Sequence, residues 1–237
     1  MRVLDQLVAR AAGLPTGGRR AVLGITGSPG AGKTTLAEQL VRRLRETPSL
    51  DGSLEQWVAY VPMDGFHLAD EELDRLGRRD RKGAADTFDT AGYAALLQRI
   101  RLNADALIYA PAFQRELEQA IAGSIPVPRS ARLVVTEGNY LLLDHGEWPQ
   151  VTAQLDEVWF CELEEAERVR RLVARHERFG KSHSAAVAWV AGTDRRNADL
   201  VSGTRARANL VIQESTLRDG ADSPAHSTAN PANLSSH

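Results

Sequence analysis

The sequence predicts an α/β fold in which helices cover both faces of a parallel sheet. Short apolar runs typical of buried strands recur along the chain, and segments with helical spacing lie between most of them. A glycine-rich loop joins the first of these runs to the first helix that follows it. Strands that alternate with helices favour a parallel sheet, because each helix returns the chain to the edge where the previous strand began.

Length and composition suit one globular domain with a small lid. The chain has 237 residues, of which 43% are hydrophobic and 25% charged, and this is ordinary globular usage. The formal net charge of -2 argues against nucleic acid and membrane partners, because both require a broad basic face. Cys161 is the only cysteine, so an intrachain disulfide is excluded. We expect a cytoplasmic protein, since the sequence has neither a signal-peptide core nor a membrane-length apolar run.

The elements follow from these patterns in chain order. A helix near residues 2–12 precedes the first strand at 20–26. Further strand candidates occupy 57–61, 106–109, 133–136, 158–161 and 210–212, and helical patterns occupy 92–101, 164–179 and 185–195. We assign residues 1–218 to a single domain, and residues 219–237, which are small, polar and proline-bearing, to a disordered tail.

The loop after the first strand carries a phosphate-binding pattern. Its residues match G-x-x-x-x-G-K-[ST] between a strand and a helix, and they are Gly27, Ser28, Pro29, Gly30, Ala31, Gly32, Lys33 and Thr34. Glycines let several N–H groups point at one phosphate, and the helix start adds its positive end. Lys33 is placed for the β- and γ-phosphates and Thr34 for Mg²⁺, and we add Thr35 to the nucleotide-binding set. The alternative is a chance glycine-rich turn.

A carboxylate after the second strand indicates which reaction a protein with this phosphate-binding loop could catalyse. The sequence has neither the Asn-Lys-x-Asp motif that reads guanine nor the Leu-Ser-Gly-Gly-Gln stretch of transporter ATPases. Asp64 lies just beyond the strand at 57–61, at the edge where open α/β sheets build their sites. There it could take the proton of an attacking hydroxyl. The alternative role for Asp64 is to cap a turn, as Asp-Gly sequences often do.

A second acidic residue follows the strand candidate at 133–136. Glu137 comes directly after four mostly apolar residues, at a position where P-loop enzymes hold the water shell of the metal. We therefore predict that Thr34 and Glu137 form a magnesium site.

The helical pattern at 164–179 carries a stripe of arginines. Helical spacing predicts two opposite faces: Arg168, Arg171, Arg175 and Arg178 on one, and Val169, Leu172, Val173 and His176 on the other. A solvated face with basic residues near the helix end is one interpretation. The other is a lid, about residues 164–182, which brings cations over the γ-phosphate and excludes water.

Taken together, these motifs resemble the phosphoribulokinase/uridine kinase superfamily of P-loop kinases. That superfamily also contains bacterial pantothenate kinases and kinases named for fructose-transport systems. The resemblance covers residues 20–213 and is carried by the segments 27–34, 63–68, 82–89, 109–115, 136–142 and 171–181. It implies a P-loop NTPase fold of three layers with a helical lid, and an enzyme that uses ATP and Mg²⁺.

The resemblance also implies roles for individual residues. Asp64 would be the general base, and Lys33 and Thr34 would serve Mg-ATP. Glu137 would support the metal, while Arg171 and Arg175 would stabilise the transferring phosphoryl group. The segments that shape the acceptor pocket in the family contain Phe66, His67, Lys82, Phe113, Arg115 and Tyr140, in addition to Asp64.

The acceptor is left open by departures from the family's patterns. Uridine kinases carry Tyr-Asp-Phe and His-Thr-Arg motifs where this chain has Tyr109-Ala-Pro-Ala-Phe113-Gln-Arg115. Pantothenate kinases are longer before the P-loop. We expect transfer to a hydroxyl of a small metabolite (a sugar, a nucleoside or a pantothenate-like compound). The alternatives are a nucleoside or nucleotide kinase proper and an ATP-binding regulatory protein without catalysis. The expected partner is the small-molecule substrate, and a homodimer is left open.

Overall fold

A parallel sheet of five strands forms the centre of the computed structural model, which describes residues 2–47 and 56–213. The strands are, in chain order, β1 (Ala21–Thr26), β2 (Val58–Tyr60), β3 (Leu107–Gln114), β4 (Gln119–Pro128), β5 (Leu133–Glu137), β6 (Glu157–Glu162) and β7 (Leu210–Gln213). The order across the central sheet is β2-β5-β1-β6-β7, and all its pairs are parallel. This confirms the predicted fold class. The proposed tail at 219–237 lies outside the described residues.

Helices cover both faces of this sheet. They are α1 (Val3–Ala12), α2 (Lys33–Arg45), α3 (Asp70–Arg75), α4 (Thr90–Leu102), α5 (Trp148–Thr152), α6 (Glu165–Arg178), α7 (His183–Trp189) and α8 (Arg195–Ser202). Every residue of β1 is buried, and successive residues face different layers. Val22 packs with α4 and α5, whereas Leu23 packs with α1 and α2. A strand buried on both faces has no polar alternation, which is why its sequence is a nearly continuous apolar run. None of the described helices is long and apolar enough to cross a bilayer.

The strand predicted at 106–109 does not join the central sheet. It is the start of β3, which pairs antiparallel with β4 to form a separate hairpin. Along β3, Leu107 and Tyr109 are exposed while Ile108 and Ala110 are buried, which is the alternation of a strand covered on one face only. The prediction of a strand was right, but its placement in the parallel sheet was wrong because its sequence is as apolar as a doubly buried strand.

The helical pattern predicted at 185–195 is longer than expected and irregular. It begins as α7, passes through a π-helical turn at Val190–Asp194, and continues as α8. This stretch follows α6 along the chain and brings Asp194 back toward α6, where it meets His176.

Candidate active site

Three glycines of the loop between β1 and α2, Gly27, Gly30 and Gly32, have positive φ angles, and at two of them a side chain would also collide with a neighbouring element. Gly27 has φ +145°, and a Cβ there would lie 2.4 Å from the carbonyl oxygen of Cys161 on β6. Gly30 has φ +84°, and a Cβ there would lie 2.9 Å from Cγ of Leu172 on α6. The loop is therefore pressed between β6 and α6, with a backbone that side chains at these positions would obstruct.

Lys33 is the first residue of α2 and is almost completely buried. Its Nζ donates a hydrogen bond of 3.1 Å to the carbonyl oxygen of Ser28 inside the loop. Burial lowers the pKa of Lys33, and the nearby carboxylates of Glu137 and Asp64 oppose that effect. Within the residues that the structure describes, this buried ammonium has one hydrogen-bond acceptor, the loop carbonyl. It is therefore well suited to a phosphate ligand, which would replace the water that the ammonium has lost.

Two hydroxyl groups converge on the carboxylate of Glu137 at the end of β5. Thr34 donates to Oε1 at 3.2 Å and Tyr60 donates to the same atom at 3.3 Å. Burial, followed by the charge of Asp64, raises the pKa of Glu137 to about 7. Burial and then Glu137 also raise the pKa of Tyr60. A hydroxyl and a carboxylate oxygen beside a phosphate loop are the donor set that Mg²⁺ prefers, so these residues fit the metal.

Asp64 lies on a short 3₁₀ turn at Met63–Phe66 that follows β2. In the described part of the chain its carboxylate makes no hydrogen bond or ion pair, and it is the backbone carbonyl that accepts a bond from His67 N at 3.2 Å. The side chain therefore does not cap the turn. The turn packs against the residue that follows β5. This contact is so close that a Cβ on Gly138 would lie 2.5 Å from Sδ of Met63.

A cavity of about 500 Å³ brings most of the predicted site residues together. Those that line it are Pro29, Gly30, Lys33, Thr34, Asp64, His67, Lys82, Phe113, Arg115, Glu137 and Arg175. The other predicted residues are not among its lining: Gly27, Ser28, Ala31, Gly32, Thr35, Phe66, Tyr140 and Arg171. Phe66 is buried against the Tyr93 ring, and Tyr140 donates from its hydroxyl to the carbonyl of Gly83 at 2.6 Å. These two residues support the wall from behind.

The helix α6 packs directly on the phosphate loop, through a residue whose position the sequence did not predict. Arg168 is buried, donates to the carbonyl oxygen of Pro29 at 3.3 Å and pairs with Glu165 at 2.8 Å. The prediction that all four arginines lie opposite the apolar face is therefore wrong for Arg168. Residues four apart share a helix face, so Arg168 lies beside the buried Leu172.

The two predicted lid arginines have different surroundings. Arg175 lines the cavity, and its charge contributes to lowering the pKa of Lys33. Arg171 is ion-paired with Glu167 at 2.8 Å, on the same helix. Of the two predicted lid arginines, Arg175 is thus the one that lines the cavity together with Lys33.

Aromatic rings and ion pairs form the other end of the cavity. The ring of His67 lies between Phe88 and Phe113, with centroid distances of 4.1 and 4.8 Å. Burial lowers the pKa of His67, although the Asp64 carboxylate opposes this. Lys82 donates to Oδ1 of Asp70 at 2.7 Å and lies 5.4 Å from the centre of the Phe113 ring.

Several lining residues were not found from the sequence. They are Asp70, Arg79, Gly83, Phe88, Glu118, Gly138, Asn139, His176, Phe179, Lys181, Trp189, Thr193, Asp194 and Asn197. Phe88 and Asn139 belong to the segments 82–89 and 136–142, which resemble the kinase superfamily. The resemblance could therefore have predicted them as site residues. His176 and Asp194 form a 2.7 Å contact between α6 and the π-helical turn, which no spacing rule could have indicated.

Comparison with known proteins identifies relatives of this chain. A family model described as methylmalonyl-CoA mutase-associated GTPase MeaB matches residues 3–50, about a fifth of the chain, around the phosphate loop. A uridine kinase-like protein of Schizosaccharomyces pombe is 31% identical over 218 residues, which cover 90% of this chain and 89% of that protein.

Solved structures support the same relationship. A kinase of Silicibacter sp. TM1040 named for a fructose transport system has a TM-score of 0.77 and 34% identity, over 90% of this chain and 100% of that one. Phosphoribulokinase of Rhodobacter spheroides, at 9% identity and a TM-score of 0.55 over 82% of this chain and 70% of that one, shares the fold. With a full-length relative above 30% identity and the phosphate loop in place, the chain belongs to the phosphoribulokinase/uridine kinase superfamily of P-loop kinases.

Proposed function

We propose that this kinase transfers the γ-phosphoryl group of Mg-ATP to a hydroxyl group of a small metabolite. The observation that carries the proposal is the position of Asp64, an unpaired carboxylate within the described residues, in the same cavity as Lys33 and Thr34. A protein that only holds ATP has no need of a base beside the phosphate end. The geometry therefore favours a catalyst over a regulatory ATP-binding protein.

The phosphate loop and its neighbours would bind the nucleotide. Backbone N–H groups of residues 27–34 and the ammonium of Lys33 would receive the β- and γ-phosphates. Bound Mg²⁺ would neutralise part of their charge, and Thr34 and Glu137 are the side chains that would hold it. Arg175 would stabilise the charge that spreads over the γ-phosphoryl oxygens during transfer, and Arg171 is the second candidate for that role.

Asp64 would supply the base. Its carboxylate would accept the proton of the acceptor hydroxyl while the hydroxyl oxygen forms a bond to the γ-phosphorus. The bond between that phosphorus and the bridging oxygen breaks at the same step, and ADP leaves with the electron pair. The contact of α6 with the phosphate loop would help exclude water, because water competes with the acceptor for the phosphoryl group.

The acceptor would occupy the end of the cavity beside Asp64. His67, Phe113, Lys82 and Arg115 line this end, and we propose that Phe66 and Tyr140 hold its wall in place. The rings of His67 and Phe113 offer a stacking surface, which favours nucleosides as a second candidate class of acceptor. The name of one relative mentions uridine and that of another mentions a fructose transport system, and each name describes that protein alone.

An acceptor screen tests this proposal. The protein would be incubated with Mg-ATP and uridine, fructose, fructose 6-phosphate, ribulose 5-phosphate or pantothenate, and the release of ADP would be followed by a coupled assay. We expect at least one acceptor to raise ADP release far above the rate with water alone, and Asp64→Asn to abolish the increase. Tight ATP binding with no stimulation by any acceptor would support a binding protein instead.

A further inference from the structure

The cations at the acceptor end of the cavity differ in whether they have acidic partners. Arg79 and Lys82 both pair with Asp70, at 2.8 and 2.7 Å. Arg115, which also lines the cavity, makes no hydrogen bond or ion pair with any residue between 2–47 or 56–213. Its guanidinium carbon lies 5.9 Å from the centre of the Phe179 ring, just beyond α6. Arg115 therefore extends into the space between the β3–β4 hairpin and α6. The N–H groups of its guanidinium have no hydrogen-bond acceptor among the described residues.

The turn that carries Arg115 is held in place. It joins β3 to β4, and its last residue, Glu118, has φ +53°, a left-handed conformation that is uncommon outside glycine. Nζ of Lys82 donates to the carbonyl oxygen of Glu118 at 2.5 Å and fixes this turn to the floor of the cavity. The side chain of Lys82 is mostly buried, with an exposure of 16%, while the turn residues that it contacts are exposed. This contact fixes the backbone of the turn, from which Arg115 extends as an exposed side chain that lines the cavity.

Arg79 and Lys82 are matched by acidic partners, whereas Arg115 has none among the described residues. Arg79 pairs with both Asp70 and Asp74, and Lys82 pairs with Asp70. The carboxylate of Glu118 lies 4.0 Å from Lys82 and is 64% exposed, so water weakens its field. Lys33 and Arg175 belong to the phosphate end, where the nucleotide would use their charge. The positive charge of Arg115 has no corresponding task in binding ATP.

We propose that the acceptor of this kinase carries an oxyanion group, a carboxylate or a phosphate, which Arg115 binds on the hairpin side of Asp64. The inference rests on the proposed function, since it describes the substrate of the same site. A guanidinium binds both kinds of oxyanion through two parallel hydrogen bonds. Lys82 lines the same cavity, but its charge is already paired with Asp70. The acceptor hydroxyl would then face Asp64 while its anionic end faces Arg115.

Matched acceptor pairs test the proposal kinetically. Pantothenate is compared with pantothenol, its neutral alcohol, and fructose 6-phosphate with fructose. The anionic member of whichever pair is phosphorylated should have the higher kcat/KM. Arg115→Ala should lower that value about tenfold or more through KM for the acceptor, with KM for ATP unchanged. Arg115→Lys should recover part of the loss. A preference for pantothenate over pantothenol would indicate a carboxylate acceptor, and a preference for fructose 6-phosphate over fructose would indicate a phosphate acceptor.

Arg178→Ala is the matched control, because Arg178 lies 5.8 Å from the same Phe179 ring and does not line the cavity. It should leave KM for the acceptor within about twofold, a difference of under ~0.5 kcal/mol. A neutral acceptor used as well as its anionic counterpart, or an Arg115→Ala enzyme with the parent's KM for the anionic acceptor, would overturn the proposal.

A binding measurement separates this inference from the proposed function. The protein is loaded with Mg²⁺ and a non-hydrolysable ATP analogue, so that the phosphate loop is occupied, and inorganic phosphate is titrated at constant ionic strength. We expect saturable binding that Arg115→Ala weakens about tenfold. If no acceptor is phosphorylated but this binding is seen, the catalytic proposal fails and the oxyanion site stands. If the parent and Arg115→Ala bind phosphate equally, or neither binds it, the oxyanion site is refuted whatever the activity.

Discussion

The Thr34 hydroxyl donates a 3.2 Å hydrogen bond to Oε1 of Glu137, and this contact joins the first turn of α2 to the end of β5. The parallel register explains the contact, because Ile25 on β1 lies opposite Glu137 on β5. The phosphate loop begins at Gly27, two residues after Ile25. Glu137 therefore lies next to the start of this loop. The fold thus brings together the two oxygens that would hold Mg²⁺.

The raised pKa of Glu137 predicts that binding of Mg-ADP depends on pH. Burial and then the charge of Asp64 raise this pKa to about 7, so below about pH 7 the carboxyl is mostly protonated and must lose its proton to hold Mg²⁺. Affinity for Mg-ADP should therefore fall as the pH drops from 8 to 6, approaching about tenfold per pH unit below the pKa. Isothermal titration in buffers of different ionisation enthalpy would measure both the affinity and the proton release.

Glu137→Gln provides the control for this effect. It should bind Mg-ADP more weakly than the parent at pH 8 and show little change in affinity between pH 6 and 8. A pH dependence as steep in Glu137→Gln as in the parent would assign the titration to another group.

Lys33→Ala should abolish most turnover without unfolding the protein. The substitution removes the charge that faces the β- and γ-phosphates, while the glycine-containing backbone of the loop remains. A steady-state ADP-release assay at saturating ATP, with circular dichroism to verify the fold, measures the effect. Near-normal turnover would show that this loop does not act as a phosphate site.

The two arginines that we propose for phosphoryl stabilisation, Arg171 and Arg175, should differ in their effect on catalysis. Arg175 lines the cavity and influences the pKa of Lys33, whereas Arg171 is paired with Glu167. Arg175→Ala should lower kcat about 10²-fold or more with little change in ATP affinity, because its charge is needed mainly in the transition state. Arg171→Ala should lower kcat clearly less. Equal losses, or a kcat within about twofold of the parent for Arg175→Ala, would contradict this assignment.

The parts of the site that were predictable from the sequence are those set by local pattern. The phosphate loop depends on eight consecutive residues, so its motif and its strand-to-helix context were sufficient. Asp64 and Glu137 were also predictable, because the carboxyl ends of neighbouring parallel strands meet at one edge of the sheet. Their shared cavity follows from the adjacency of β2 and β5.

The remaining parts depend on how elements dock, which spacing does not determine. Arg168 is buried because α6 is oriented about its axis so that this side chain contacts Pro29. The amphipathic pattern of the sequence does not determine this orientation. Tyr60 was not predicted as a site residue because it is the last residue of β2 and its sequence position indicates only a strand. The contact of His176 with Asp194 required the return of the chain through α7 and the π-helical turn.

The central claim is that Asp64 is the base for phosphoryl transfer, and Asp64→Asn tests it most directly. With an acceptor identified, single-turnover transfer would be measured by rapid quench and Mg-ATP affinity by isothermal titration. We predict that transfer slows by about 10²–10⁴-fold, the range for a lost general base, while Mg-ATP affinity stays within about twofold. Transfer at close to the parent rate, or a collapse of Mg-ATP affinity equal to the loss of rate, would contradict the assignment of Asp64 as the base.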